Sequence, residues 1–332
     1  MSDQPIKQDA ATLIALIKQL IDRGADVDAF LDPLHRLIAL SPSSIGWVAD
    51  PGLELYRVTK HHTTLPTRID EVWFPPPELT PSGRANRPNQ PMFYCTSDPS
   101  YAYYETSITV GQTVVFSKWV TTARMMLHDL GYTAQVLARA GSTRTLPEPH
   151  RKFYEDNLTD EGRQIRDFIA MRFTDPNPNS YAFTNAVAEF HLDADFDLAG
   201  ILYPAATKAA NADILALRPS FVREGMKLVE ATLQEVSTVT EDGYVVGDIQ
   251  ADLVDVRDTG ELSWSLREPA TSSPPGSSIA VSYGEAIRVH DAADLEIGGR
   301  EFHVEPGYAI VVSKTGDFRV LNLKGEKVEP SA

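Results

Sequence analysis

Leu53-Glu54-Leu55-Tyr56-Arg57-Val58 opens the stretch whose reading decides the fold, and Glu105 closes it. Its first six residues alternate in the manner of a half-buried strand. A long loop from Thr63 to Asn89 comes next, carrying Gly83-Arg84-Ala85-Asn86, and then a second strand-like run, Gln90–Tyr94. Ser97-Asp98-Pro99 breaks that run. Asp98 suits a helix N-cap and Pro99 the first helical position, so a short helix ending on Tyr103-Tyr104-Glu105 is expected. Two arginines, several tyrosines and one glutamate therefore fall on short elements or on the loop between them. Such a group can hold a phosphate-bearing ligand and act on a sugar carbon.

Upstream, Leu13, Leu16, Ile17, Leu20 and Ile21 recur at helical spacing, which predicts an amphipathic helix over 10–23 stopped by Gly24. A second helix is expected over 27–40, interrupted near Pro33, and the pair reads as a helical hairpin packed on the downstream core. Downstream, a strand is expected at Thr113–Phe116 and a helix at Thr121–Leu130, closed by Gly131. Asp160–Phe173 and Tyr181–Leu192 read as helices, with a turn at 175–179 between them, and Gly200–Pro204 as a short buried strand. After Glu224 come short alternating runs, 244–249, 251–256 and 261–265. Pro269 to Ser278 (PATSSPPGSS) reads as a linker. Beyond it, runs at 287–289, 295–297, 301–304, 309–312 and 318–321 predict a small all-β unit. The expected organisation is α+β: an N-terminal helical segment (1–47), a core (48–268), the linker (269–278) and the β unit (279–332).

A chain of 332 residues can bury a full core. No run of about 18 apolar residues predicts a membrane span, and Met1-Ser2-Asp3-Gln4-Pro5 does not read as a secretory signal. Cys95 is the only cysteine, which excludes internal disulfides and thiolate metal clusters and fits a reducing, cytoplasmic setting. It reads as a small buried thiol beside Tyr94. The net charge of −16 argues against nucleic acid and anionic membrane as partners. It suits a basic protein partner, or simply solubility. His61-His62 and the scattered acids lack metal-ligand spacing, so no metal is expected. There is no Walker loop, no dinucleotide glycine fingerprint and no nucleophile elbow.

A guanidinium fork matches phosphate oxygens bidentately. Arg57, inside a strand, calls for an anionic partner, either a carboxylate of the protein or a ligand; Arg84 offers the same fork from the loop. A carboxylate such as Glu105, placed near a ribose, stabilises the charge that develops as a glycosidic bond breaks; at a helix end in solvent it does nothing. Tyr56, Tyr94, Tyr101, Tyr103 and Tyr104 concentrate aromatic faces able to stack on planar rings or to fill a core.

In order and spacing, Arg57, Gly83-Arg84-Ala85-Asn86, Tyr94 and Glu105 resemble the RES domain family, bacterial toxins with an ADP-ribosyltransferase-like fold. The helix Tyr181–Leu192, the run Gly200-Ile201-Leu202-Tyr203-Pro204 and the segment from Asn211 through Leu217-Arg218-Pro219 extend the likeness, which covers roughly residues 53–235. The resemblance implies a split β-sheet core with flanking helices and an enzyme that takes NAD as substrate. It implies cleavage of the nicotinamide–ribose bond by hydrolysis or phosphorolysis, or transfer of ADP-ribose to a protein, with an antitoxin or immunity protein as partner. By position, Arg57 and Arg84 hold the pyrophosphate or an attacking phosphate, Tyr56, Asn86 and Tyr94 belong to the NAD pocket, and Glu105 is the catalytic carboxylate. One position departs from the family: Ala205 follows Tyr203-Pro204 where the family has serine. That leaves Thr207 or Ser180 to supply the hydroxyl, or the chain binds nucleotide without turnover.

Overall fold

A computed structural model describes residues 9–41, 45–61, 65–103, 106, 108–193, 197–205, 210–239 and 245–267, and short strands between 286 and 328. The linker at 269–278, Tyr104, Glu105 and Thr207 lie outside the described residues.

The chain begins with α1 (Ala10–Asp22) and α2 (Asp28–Ile38), followed by β1 (Ile45–Ala49) and β2 (Glu54–His61). After the long loop come β3 (Phe93–Thr96), β4 (Thr113–Thr121) and β5 (Met125–Asp129). Four helices are next: α3 (Ala134–Ala140), α4 (Glu148–Asp156), α5 (Asp160–Phe173) and α6 (Tyr181–Leu192). Then come β6 (Gly200–Pro204), β7 (Asp213–Leu217), α7 (Pro219–Gly225), β8 (Met226–Val239), β9 (Val245–Val256) and β10 (Leu262–Leu266). The fold is α+β with mixed β-sheet, and the chain forms two compact units. Residues 1–55, 73–98 and 119–227 make the first, and 56–72, 99–118 and 228–332 the second.

In the first unit the strands run β1-β5-β6-β7-β3. Only β5 and β6 are parallel; the other pairs are antiparallel. Every residue of β6 is buried, as its unbroken apolar sequence requires of a central strand. A Cβ on Gly200 would meet the Ala216 carbonyl oxygen at 2.1 Å, so glycine alone fits where β6 pairs with β7. The helical layer is built by aromatic contact. Phe183 of α6 meets Phe30 of α2 at 5.7 Å and Phe168 of α5 at 5.4 Å. Asp9 caps α1 through the Thr12 amide, and Glu161 of α5 accepts the Ala10 amide at 3.0 Å. The N-terminal hairpin is thus packed on α5 and α6. Pro33 does not interrupt α2: its ring joins Phe30, Leu34 and Leu37 on the buried face, which offsets one missing backbone bond.

Residues 121–130 form no helix, which corrects the sequence reading. Met125, Leu127 and Asp129 are buried and alternate with half-buried Met126 and His128, the period of a strand. Pairing with β1 and β6 outweighs the helix propensity of methionine and leucine. Asp129 is fully buried at the end of β5. Its Oδ1 accepts the amides of Gly131 and Tyr132 at 3.1 and 3.3 Å. Its Oδ2 contacts His150 Nε2 of α4 and lies 3.6 Å from Arg166 Nη2 of α5. Beside it the Tyr132 hydroxyl donates to Asp213 Oδ1, which also accepts Arg144 Nη1 at 2.5 Å. Burial first, then the charge of Asp213, pushes the Tyr132 phenol well above its usual range.

His191 of α6 is buried with its ring 4.7 Å from that of His128. Burial, aided by His128, pushes its pKa down to about 3 from an ordinary value near 6.5. Below about pH 6.5 the unfolded chain therefore takes up a proton that the native state refuses until about pH 3. This contribution is complete above pH 6.5 and is lost as pH falls, by about 1.4 kcal/mol per pH unit. Urea unfolding at a series of pH values should show this slope, and His191→Leu should flatten it; an equal slope in both proteins would place the acid sensitivity elsewhere.

In the second unit the strands run β2-β4-β8-β9-β10. Val58, Ala102, Ile108, Val114 and Val236 form a core cluster, with Tyr56, Tyr103 and Phe116 packed against it. Among the described residues the segment after Asp98 carries a 3-10 turn at Pro99–Tyr101 in place of the expected α-helix, whose end at Tyr104-Glu105 lies outside the described residues. Ala102 is buried in that cluster, and its amide donates to the Pro99 carbonyl at 3.4 Å. Five C-terminal strands fall within two residues of where the alternation predicts them, and Lys327–Val328 is one it did not predict. Ala286–Arg288, Ala309–Val312, Phe318–Leu321 and Lys327–Val328 form a four-stranded antiparallel sheet, and Ala293–Ile297 pairs with Arg300–Val304.

Candidate functional site

The Gly83-Arg84-Ala85-Asn86 motif is a closed turn. The Gly83 amide donates to the Asn86 carbonyl at 3.0 Å. A Cβ on Gly83 would lie 2.4 Å from Asn86 Oδ1 and 2.7 Å from the Tyr94 hydroxyl, so no larger residue fits without displacing them. Asn86 Nδ2 donates to the carbonyls of Pro81 and Arg87, both at 2.9 Å. The Tyr94 hydroxyl, on β3, donates to Asn86 Oδ1 at 2.7 Å and accepts the Ala85 amide at 2.9 Å. Arg87 then ties the loop to two helices through ion pairs with Asp28 and Glu189. The structure thus brings Gly83, Arg84, Asn86 and Tyr94 together, with the polar atoms of Asn86 and the Tyr94 hydroxyl engaged in holding the turn.

Tyr94→Phe tests that arrangement. It strips the Ala85 amide and Asn86 Oδ1 of one partner each and is expected to cost about 1–3 kcal/mol in urea unfolding. An unchanged midpoint would mean that the hydroxyl does not hold the loop.

The turn delivers Arg84 to the corner between α5 and α6, where it is buried. Its Nη1 donates to the carbonyls of Asp175 at 2.8 Å and Arg172 at 3.3 Å. The guanidinium lies 5.1 Å from the ring of Tyr181. These partners are neutral carbonyls and an aromatic face, so they orient the charge without cancelling it. A fixed positive group of this kind suits an anion. Ser180 donates its hydroxyl to Asp175 Oδ2 at 3.1 Å in the same corner.

Tyr56 and Arg57 belong to the second unit. As neighbours on β2 they face opposite sides of the strand. Tyr56 stacks on Phe116 at 5.9 Å, and Phe116 on Tyr103 at 5.4 Å. Tyr103 donates to Gln234 Oε1 at 2.7 Å, and burial pushes its phenol up. Arg57 is half-buried, and its carbonyl accepts the Ser117 hydroxyl at 3.1 Å. Ala205 is buried, its amide donating to the Ala212 carbonyl at 2.9 Å. Asn211 Oδ1 accepts Ser142 Oγ, the Thr143 amide and Thr143 Oγ1, which docks the segment after α3. Cys95 is a buried thiol, as its apolar neighbours predict. Among the described residues no three metal-ligating side chains cluster, and no helix is long and apolar enough to cross a membrane.

A family model for the RES domain matches residues 54–234. The chain belongs to the RES domain family. A comparison with curated proteins finds no match. The RES match opens in β2 and closes in β8, so Arg57, the Arg84 turn, Tyr94 and the α5–α6 corner all fall inside it, while α1, α2 and the C-terminal strands fall outside. Gly83, Arg84, Asn86 and Tyr94 were visible in the sequence as a set. The partners of Arg84 were not, because Arg172, Asp175 and Tyr181 lie roughly ninety positions away; only the turn residues at 175–179 marked that corner.

Proposed function

We propose that this RES protein consumes NAD. The bond from ribose C1′ to the nicotinamide nitrogen breaks, and its electron pair leaves with neutral nicotinamide. The ribosyl cation then takes an oxygen from water, releasing a proton, or from phosphate. The observation that carries the reading is the Arg84 corner: a buried guanidinium oriented by neutral partners, on a turn made of the family motif. In this reading Arg84 and Arg57 hold the pyrophosphate or an attacking phosphate. The Tyr56 ring and the Tyr94 ring line the nicotinamide pocket, and Asn86 acts through the turn it closes. Glu105 stabilises the charge at C1′. The core is then of the ADP-ribosyltransferase-like kind. The protein is a cytoplasmic toxin or effector held in check by an antitoxin or immunity protein, and its acidic surface suits a basic partner.

Ala205 favours a second reading, nucleotide binding without turnover, since it supplies no hydroxyl where the family has one. Transfer of ADP-ribose to a protein is the third, visible as a mass increment on the acceptor. Induced expression in a bacterial host tests the first: the cellular NAD pool should collapse and nicotinamide should accumulate. A level pool beside accumulating folded protein overturns it.

A further inference from the structure

We infer that Asp175 is a positioning residue for Arg84, acting through the corner between α5 and α6; its kinetic consequence rests on the NAD reading above. One carboxylate closes this corner from three directions. Asp175 Oδ2 accepts Arg172 Nη1 at 3.2 Å and Ser180 Oγ at 3.1 Å, and Oδ1 accepts the Asn177 amide at 3.0 Å. These contacts fix the backbone between the end of α5 and the start of α6. The carbonyls that receive Arg84 Nη1 belong to Asp175 itself and to Arg172, the residue its carboxylate holds. Tyr181, the first residue of α6, supplies the ring against the guanidinium.

With Nη1 fixed, the guanidinium plane is set. The edge carrying Nε and Nη2 takes no protein acceptor among the described residues. That edge presents two parallel N–H groups, the geometry that grips two oxygens of one phosphate. Asp175 therefore acts on an anion without touching it: its side chain shapes the turn whose carbonyls aim Arg84. A carboxylate facing Arg84 directly would instead neutralise it.

Asp175→Ala, and Asp175→Asn as the milder form that keeps an acceptor for Asn177, are compared in the parent and in an Arg84→Ala background. The KM for NAD should rise about 10–100-fold in Asp175→Ala, the range of one charge-assisted bond, with kcat moved far less. Asp175→Asn should fall between Asp175→Ala and the parent. In the Arg84→Ala background the same changes should add nothing, because the residue they act through is gone. Equal fold-losses in both backgrounds overturn the inference.

A second readout needs no turnover. Arginine side-chain NMR should show slow solvent exchange at the Arg84 guanidinium in the parent and fast exchange in Asp175→Ala, with Arg84→Ala assigning the signal. An Arg84 signal that Asp175→Ala leaves unchanged overturns the inference as well. A folded parent that leaves NAD intact sinks the NAD reading alone, and the resonance still decides whether Asp175 fixes Arg84.

Discussion

Glu105→Gln is expected to give a folded protein that no longer cleaves NAD. Glutamine keeps the size and hydrogen-bonding capacity of the side chain and removes only its charge. Departure of nicotinamide builds positive charge on the ribose carbon. A fixed negative group aimed at that charge acts in the transition state and hardly at all on the bound substrate. Loss of one preorganised electrostatic contact slows such steps by about 10²–10³-fold, and a charge whose only role is to stabilise an oxocarbenium ion should stand at the upper end. The effect belongs in kcat, with KM for NAD little changed. Nicotinamide release gives the rate, and far-ultraviolet circular dichroism confirms the fold. A glutamine variant as fast as the parent would assign the acid to another residue.

Asp129→Ala is expected to have the largest effect on stability, about 3–5 kcal/mol. The carboxylate is fully buried and has two backbone amides, His150 and Arg166 around it. Alanine leaves those amides without this acceptor and removes the negative charge facing a buried guanidinium. Burial already pulls the Arg166 pKa down, and Asp129 is the first of the charges opposing that shift. Asp129→Asn, which keeps an acceptor for the Gly131 and Tyr132 amides, should cost less. Urea unfolding of both variants provides the comparison. A loss below about 1 kcal/mol for the alanine form would mean that the network rearranges around the gap.

Asp129 also shows where the sequence misleads. It ends a run, Met125-Met126-Leu127-His128-Asp129, composed largely of good helix formers, and local propensity reads it as helix. Two sheet partners that no local window contains make it a strand. α5, α6 and β6 were legible to the residue, because an apolar stripe at helical spacing and an unbroken buried run need no distant partner to declare themselves. α3 escaped notice although Thr133 and Gly141 cap it, since seven residues carry little periodicity. The site divides in the same way. Gly83, Arg84, Asn86 and Tyr94 are close enough along the chain to be read as a motif. That Asn86 and Tyr94 bond to each other, and that Asp175 receives Arg84, are facts of packing. Residue type marks which groups carry chemistry; only the contacts separate those that face a ligand from those that aim them.

The most direct test incubates the purified protein with NAD, with and without inorganic phosphate, and follows free nicotinamide over time. The account predicts nicotinamide in step with NAD loss, accompanied by ADP-ribose when water is the acceptor and by its 1-phosphate when phosphate is. Intact NAD in both reactions, from protein shown to be folded, would contradict it.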